Sequence, residues 1–287
     1  MTYTEFIAQH ELSIRIGFSL GVFTVMAAWE LLAPRRLLTT SKFVRWTNNL
    51  CLVILNTAIL RLLFPFAAVG VAIFAANHDL GVFNHFSIPL PVAVLVSLIA
   101  LDLTIYLQHV LMHAVPTLWR IHRVHHADLD YDVTTGSRFH PVEIIFSMLI
   151  KFAAILALGA PALAVVIFEV ILNAMSLFNH GNVRLPLGID RVLRLILVTP
   201  DMHRVHHSIR LKEANSNFGF NLSTWDRVFG TFIDQPQDGH DGMSIGINRY
   251  REPRIVSWLP GILALPFLGD VRAPGIRPRE GQTPDDQ

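Results

Sequence analysis

Residues 118–130 read LWRIHRVHHADLD, and residues 199–210 read TPDMHRVHHSIR. The pentapeptide His-Arg-Val-His-His therefore occurs twice, starting at His122 and at His203, 81 residues apart (203 − 122). On a helix the three imidazoles of H-x-x-H-H fall within an arc of about 100°, at roughly 100° per residue. That arc points all three rings one way, yet is wide enough for one ring to serve a different ion from its neighbours. Working outward, ten of the 14 histidines lie between residues 109 and 207. His109 and His113 are four apart and share a helix face; His122, His125 and His126 form the first pentapeptide; His140 and His180 stand alone; His203, His206 and His207 form the second. A solvated face has no reason to concentrate imidazole over Lys or Glu, so the repeated pattern is read as metal ligation. His140 has a second reading, because a residue before an N1 proline, here Pro141, is a natural helix N-cap. His180 precedes Gly181, where a helix C-terminus favours histidine through the dipole alone.

The surrounding chain is lipid-like. It is 52% hydrophobic and only 16% charged, well below the roughly 25% charged of soluble domains. Apolar runs near 13–33, 51–76, 88–110, 142–158 and 161–178 approach the length of about 20 residues that crosses a bilayer core. No cleavable leader precedes the first run, which reads as a retained anchor. Of the 23 Lys and Arg residues, 20 fall in 34–50, 111–141 and after 178. The positive-inside rule then puts these segments, with both pentapeptides, on the cytoplasmic side, in a bacterial inner membrane or, as the alternative, the endoplasmic reticulum. The net charge of +1 offers no field for nucleic acid. Cys51 alone supports neither a disulfide nor a thiolate metal site. The expected fold is all-α: one integral membrane helical bundle over residues 1–270 with a cytoplasmic histidine-rich cap holding a dimetal site. A Pro-rich polar tail over 271–287 is expected to be disordered, and IVSWLPGILALPFLG before it, apolar but broken by prolines, to lie at the interface.

Two polar stripes run along apolar spans down to a histidine: Asp102, Tyr106, His109 and His113 on the third, and Glu169, Asn173, Ser176 and His180 on the fifth. They read as substrate cavity or as support for the ligands, since ionisable groups inside a membrane are costly. The alternative is interhelical pairing of Asp102 or Glu169 with Lys151 or Arg61. Ten histidines exceed one ion's needs, so two metals are expected. All-nitrogen ligation suits Zn, Fe, Cu or Ni, and a pair of irons so held could activate dioxygen.

The stretch DLTIYLQHVLMHAVPTLWRIHRVHHADLDYDVTTGSRFHP, with FNHGNVRLP, TPDMHRVHHS and NFGFNLSTWDRVFGTF further on, resembles the fatty acid hydroxylase/sterol desaturase superfamily of membrane di-iron enzymes over about residues 95–235. The resemblance implies two irons on the boxes His109/His113, His122/His125/His126 and His203/His206/His207, with His140 and His180 at further family positions. It also implies dioxygen as co-substrate, hydroxylation or desaturation of a lipid C–H bond, and an external electron donor. Val110 stands where many relatives have an arginine. Arg120, Arg123, Arg204, Arg210 and Lys212 are the expected docking surface for that donor. Two rival readings remain, a dizinc membrane hydrolase and a non-enzymatic metal-binding membrane protein. On the two-metal reading, each pentapeptide supplies a half-site for one ion.

Overall fold

The computed structural model describes residues 3–86 and 88–269; the tail expected at 271–287 lies outside them. Among the described residues the fold is all-α, with three isolated β-bridges and no strand. Helices α1 (Tyr3–Leu32), α2 (Lys42–Leu63), α3 (Ala67–Asn77), α4 (Val82–His85), α5 (Leu90–Ala114) and α6 (Pro116–His126) form the first half. The second half has α7 (Pro141–Leu158), α8 (Ala162–Asn179) and α9 (Leu187–Leu193), then α10 (Pro200–His206), α11 (Leu211–Ala214) and α12 (Thr224–Val228). Short helices α13 (Gly239–Gly242), α14 (Pro253–Val256) and α15 (Leu259–Ala264) complete it.

Five helical segments are long and apolar enough to cross a membrane: Gln9–Leu32, Lys42–His85, Leu90–Ala114, Pro141–Leu158 and Ala162–Asn179. These are the five expected spans, with two differences. The first helix begins at Tyr3, about ten residues before the expected apolar run. The second run is two helices, because Pro65 cannot donate to the ladder and disfavours helix at Phe64; the chain breaks there, and Ala67 takes a left-handed φ of 49°. The hairpin between α7 and α8 turns at Gly159, whose φ of 67° disfavours a side chain and where a Cβ would lie 2.8 Å from Leu80 O. α1 packs along α8, and α5 lies against both α7 and α8.

At Val115–Pro116 the chain leaves the axis of α5, and α6 begins with Pro116 at its first position. The loop after α6 is held by buried charge. Arg45, at the start of α2, donates from Nε and Nη2 to both oxygens of Asp128, each at 2.7 Å, and from Nη1 to Asp132 at 2.5 Å; all three side chains are fully buried. Asp130 accepts from the backbone and hydroxyls of Thr39 and Thr40. Arg138 reaches Val124 O at 2.8 Å, Asn49 Oδ1 and Val256 O. The 253–267 segment is therefore more than interfacial. Val256, Ile262 and Leu265 are buried against Leu52, Trp119 and Val124, while Trp258 and Phe267 stay exposed.

Removing one member of this network leaves a buried charge unpaired. Arg45→Met is expected to cost about 3–5 kcal/mol in a detergent melt, and Leu50→Met on the exposed face of the same helix to cost little. Equal melting of the two variants would show that the pair does not hold the loop.

Candidate metal centre

Four elements deliver the histidines. α5 ends with His109 and His113, α6 carries His122, His125 and His126, α8 stops at its C-cap His180, and α10 with the residue after it carries His203, His206 and His207. α10 is started by the Thr199 hydroxyl, which accepts from Met202 N, and by Pro200 at its first position. Gly136 lets the 128–140 loop touch α8 beside His180: a Cβ there would lie 2.4 Å from Ser176 O, and the Ser176 hydroxyl donates to Gly136 O at 2.6 Å.

Nine of the ten candidate histidines converge, as a group of five (His109, His113, His122, His126, His206) beside a group of four (His125, His180, His203, His207), all buried. Each pentapeptide divides between the groups. The first sends His122 and His126 to the five and His125 to the four; the second sends His206 to the five and His203 with His207 to the four. The expectation of one half-site per pentapeptide is thereby corrected. In each box the middle histidine, His125 or His206, turns far enough from its two neighbours to reach across.

The tautomers follow from the outer partners. His109 Nδ1 donates to Phe218 O at 2.8 Å, His206 Nδ1 to Ser216 O at 2.7 Å, His180 Nδ1 to Ser176 O at 2.8 Å, and His122 Nδ1 to Glu143 Oε1 at 2.6 Å. Those oxygens only accept, so each Nδ1 carries the proton and each Nε2 turns a lone pair inward. Yet Nε2 of His109 lies 3.1 Å from that of His122 and 3.0 Å from that of His206. His180 Nε2 lies 3.1 Å from Nε2 of both His125 and His203. Protons do not relieve the crowding, because burial pushes the pKa of His180 and His206 down to about 3 and holds His125, His126, His203 and His207 well below the usual histidine range. Between His109 and its neighbours His122 and His206, all three protonated on Nδ1, facing lone pairs at this distance are repulsive unless a cation lies between them. The residues fit metal: two nitrogens each about 2.1 Å from one ion are roughly 3.0 Å apart at a right angle and roughly 3.4 Å apart at the tetrahedral angle. The observed edges match the right angle.

His140 stands apart from both groups. Its Nδ1 accepts from Val142 N at 3.2 Å, making it the N-cap of α7. Glu143, one turn on, had no place in the sequence reading, although its position in HPVE puts it in the first helical turn beside a histidine. Its carboxylate orients His122, as carboxylates behind metal-bound histidines do. The stripes separate likewise. Asp102 accepts from Trp225 Nε1 at 2.8 Å and from Leu222 N, and Tyr106 bonds the Thr231 hydroxyl and stacks on Phe229, so both hold the 218–231 loop. Glu169 pairs with Lys151 at 2.7 Å and with Arg15 at 2.9 Å, which is the interhelical alternative. Asn173 and Ser176 line a cavity that Asp102, Tyr106 and Glu169 do not. That cavity, of about 520 Å³, lies among α1, α2, α5, α7 and α8 and reaches His109, His122 and Glu143 at one end. Of the five residues expected to dock the donor, Arg123 and Arg204 are buried on backbone carbonyls and Asp201, while Arg210, paired with Asp238, and Lys212 stay at the surface.

Fold and site together define an integral membrane helical bundle around a buried, all-histidine core fit for metal. Residues 94–231, just under half of the chain, match the fatty acid hydroxylase family model, so this stretch carries a fatty acid hydroxylase domain. It is 32% identical over 185 residues to an ornithine lipid hydroxylase, OlsE, of Rhizobium tropici, covering 63% of this chain and 54% of that one. It is 29% identical to human alkylglycerol monooxygenase, covering 55% and 34%, and 26% identical to human cholesterol 25-hydroxylase, covering 48% and 50%. The chain thus spans about half, or less, of the length of these relatives. No solved structure matches it.

Two outcomes follow. Glu143→Ala is expected to weaken metal binding by about 10–100-fold, read by competition with a chelator, whereas His140→Ala costs about 1 kcal/mol of stability and leaves affinity alone. In the metal-free protein the pH dependence has a definite sign. Between an unfolded pKa near 6.5 and the folded values of about 3 for His180 and His206, the unfolded chain binds protons that the folded chain refuses. Stability is therefore full above about pH 6.5 and falls as pH drops towards 4. A melting temperature flat over that window contradicts the buried neutral state.

Proposed function

We propose that the chain is a membrane oxygenase in which two irons, one in each histidine group, use dioxygen and external electrons to hydroxylate a C–H bond of a lipid, with desaturation the adjacent chemistry. The observation that carries the reading is the convergence of outward-protonated imidazoles on two adjoining centres, one of which faces an apolar cavity of lipid size. Iron so ligated would supply dioxygen activation. The relatives named above are hydroxylases or monooxygenases by name, which supports the reaction class. Right-angled nitrogen edges, and five ligands in one group, favour a metal taking five or six ligands over tetrahedral zinc, and so favour this reading over the dizinc hydrolase.

The chain's own residues divide the work. His109 and His122 are the ligands on the cavity wall, so the five-histidine group is the one substrate meets. Ile105, Met112, Phe139 and Leu172 shape an apolar wall that orients a chain and excludes water. Glu143 keeps His122 oriented through Oε1, while Oε2, buried and without a hydrogen-bond partner among the described residues, can hold a proton beside the reacting carbon. The distribution of basic residues supports a cytoplasmic histidine face, in our reading in a bacterial inner membrane, where a reductase or small carrier would deliver electrons.

Metal analysis of protein purified from membranes, together with mass spectrometry of lipids from cells with and without the gene, tests this. About two irons per chain and a lipid heavier by about 16 Da, one oxygen atom, are expected, both lost in His109→Ala. Tightly bound zinc with hydrolytic turnover overturns it.

A further inference from the structure

The end of the cavity remote from the histidines is lined by three cations, Arg15 from α1, Arg61 from α2 and Lys151 from α7. All three belong to membrane-length segments. Carboxylates accompany them but not on the wall. Glu169, which joins Lys151 and Arg15, lies behind, and Glu11, within electrostatic reach of Arg15 and Arg61, does not line the cavity either. The only acidic lining residue is Glu143, at the histidine end. Three cations against two carboxylates leave one positive charge uncompensated at membrane depth, where an unpaired charge is expensive. Among the described residues Arg61 makes no hydrogen bond or ion pair, and Arg15 Nε is buried without a hydrogen-bond partner.

The cavity is also open towards lipid on the side of α1 and α2. These helices meet near the histidine end, where Phe23 packs on Trp46 with ring centres 5.7 Å apart and Lys42 approaches Glu30. Beyond that contact each contributes its own wall, with exposed Leu12, Ile16 and Leu20 on one and Leu60 with Phe64 on the other. Along α7, Lys151 is eight residues from Glu143, about 12 Å at 1.5 Å per residue.

We infer that the far end of the cavity is a binding site for the anionic group of an amphiphile, a carboxylate or a phosphate ester, entering between α1 and α2. The anion rests on Arg15, Arg61 and Lys151, and its chain runs back to His109 and His122. A singly charged group neutralises the excess cation, and its oxygens take the unsatisfied guanidinium donors. The attacked C–H then lies at a set distance from the anion, so the cluster acts as a ruler for position. An uncharged chain end would leave the excess cation and the free guanidinium donors unmet and is disfavoured. The inference rests on reading this cavity as the substrate's. Arg15 and Arg61 lie outside the 94–231 family match, on the two helices that precede it, whereas Lys151 lies within it.

Equilibrium binding of radiolabelled hexadecanoate, hexadecyl phosphate and hexadecanol to the metal-loaded full-length protein in zwitterionic nanodiscs tests it without turnover. At least one anion should bind about tenfold or more tighter than the alcohol, and which of the two leads separates a fatty acid source from a phosphate ester. Arg61→Gln should remove the preference while melting temperature and metal content stay unchanged, and Arg61→Lys should keep part of it. Equal binding of the three probes, or an Arg61→Gln protein that keeps the preference, overturns the inference. A protein that keeps the preference but contains no iron overturns the oxygenase reading instead.

Discussion

The Nδ1 protons of four histidines are committed outward, to three backbone carbonyls and one carboxylate, and the rest of the centre depends on that commitment. Once those protons point out, the Nε2 lone pairs can only point in, and burial removes the option of protonating them. The fold thus accumulates lone-pair repulsion in its own interior, which a cation between the rings would relieve. Metal binding and folding are then linked, because the ligands are gathered from four helices that the unfolded chain does not hold together. This also explains the density of anchors around the histidines. Phe218 and Ser216, which supply two of the carbonyls, sit in a loop held by Asp102, Asp226 and Tyr106 from beneath.

Much of this was legible in the residues, and the reason is local. Helical spacing is enough to place His109 with His113, and His122 with His125 and His126, on common faces, and apolar length is enough to find the five spans. What was not legible depends on partners far away in sequence. Arg45 meets Asp128 across 83 residues, and no pattern within either segment announces it. Arg123 and Arg204 looked like surface charge beside the histidines, but the carbonyls of Leu265, Leu268, Gly181 and Val183 take them up. The division of each pentapeptide between two groups is likewise tertiary: the arc of each box permits it, but the directions of α6 and α10 decide which ring crosses. His140 shows the opposite case, where the local capping rule was sufficient and the ligand expectation was not needed.

Buried charge is used in two ways here. At the cap, Arg45, Asp128 and Asp132 satisfy one another through several hydrogen bonds, and burial and the Arg45 guanidinium acting in opposite directions leave the Asp128 carboxyl lowered to about 2. Such a network fixes a loop and offers nothing to a ligand. In the membrane, Glu169 satisfies Lys151 and part of Arg15, and the remaining donors face a cavity. The first arrangement is closed and the second is incomplete. Incompleteness at membrane depth is costly unless something that visits the site completes it.

The two histidine groups cannot be equivalent, and the cavity shows how they differ. His109 and His122 stand on its wall, whereas no histidine of the group of four does. An ion in the group of five would face substrate with Glu143 at its side; an ion in the group of four would be enclosed by His125, His180, His203 and His207 and shielded from lipid. The repeated pentapeptide therefore does not encode a symmetric pair of sites. By sending two rings one way and one the other in the first copy, and reversing that ratio in the second, it ties an open centre to a closed one through the same short helices. A displacement of either helix then disturbs both centres together.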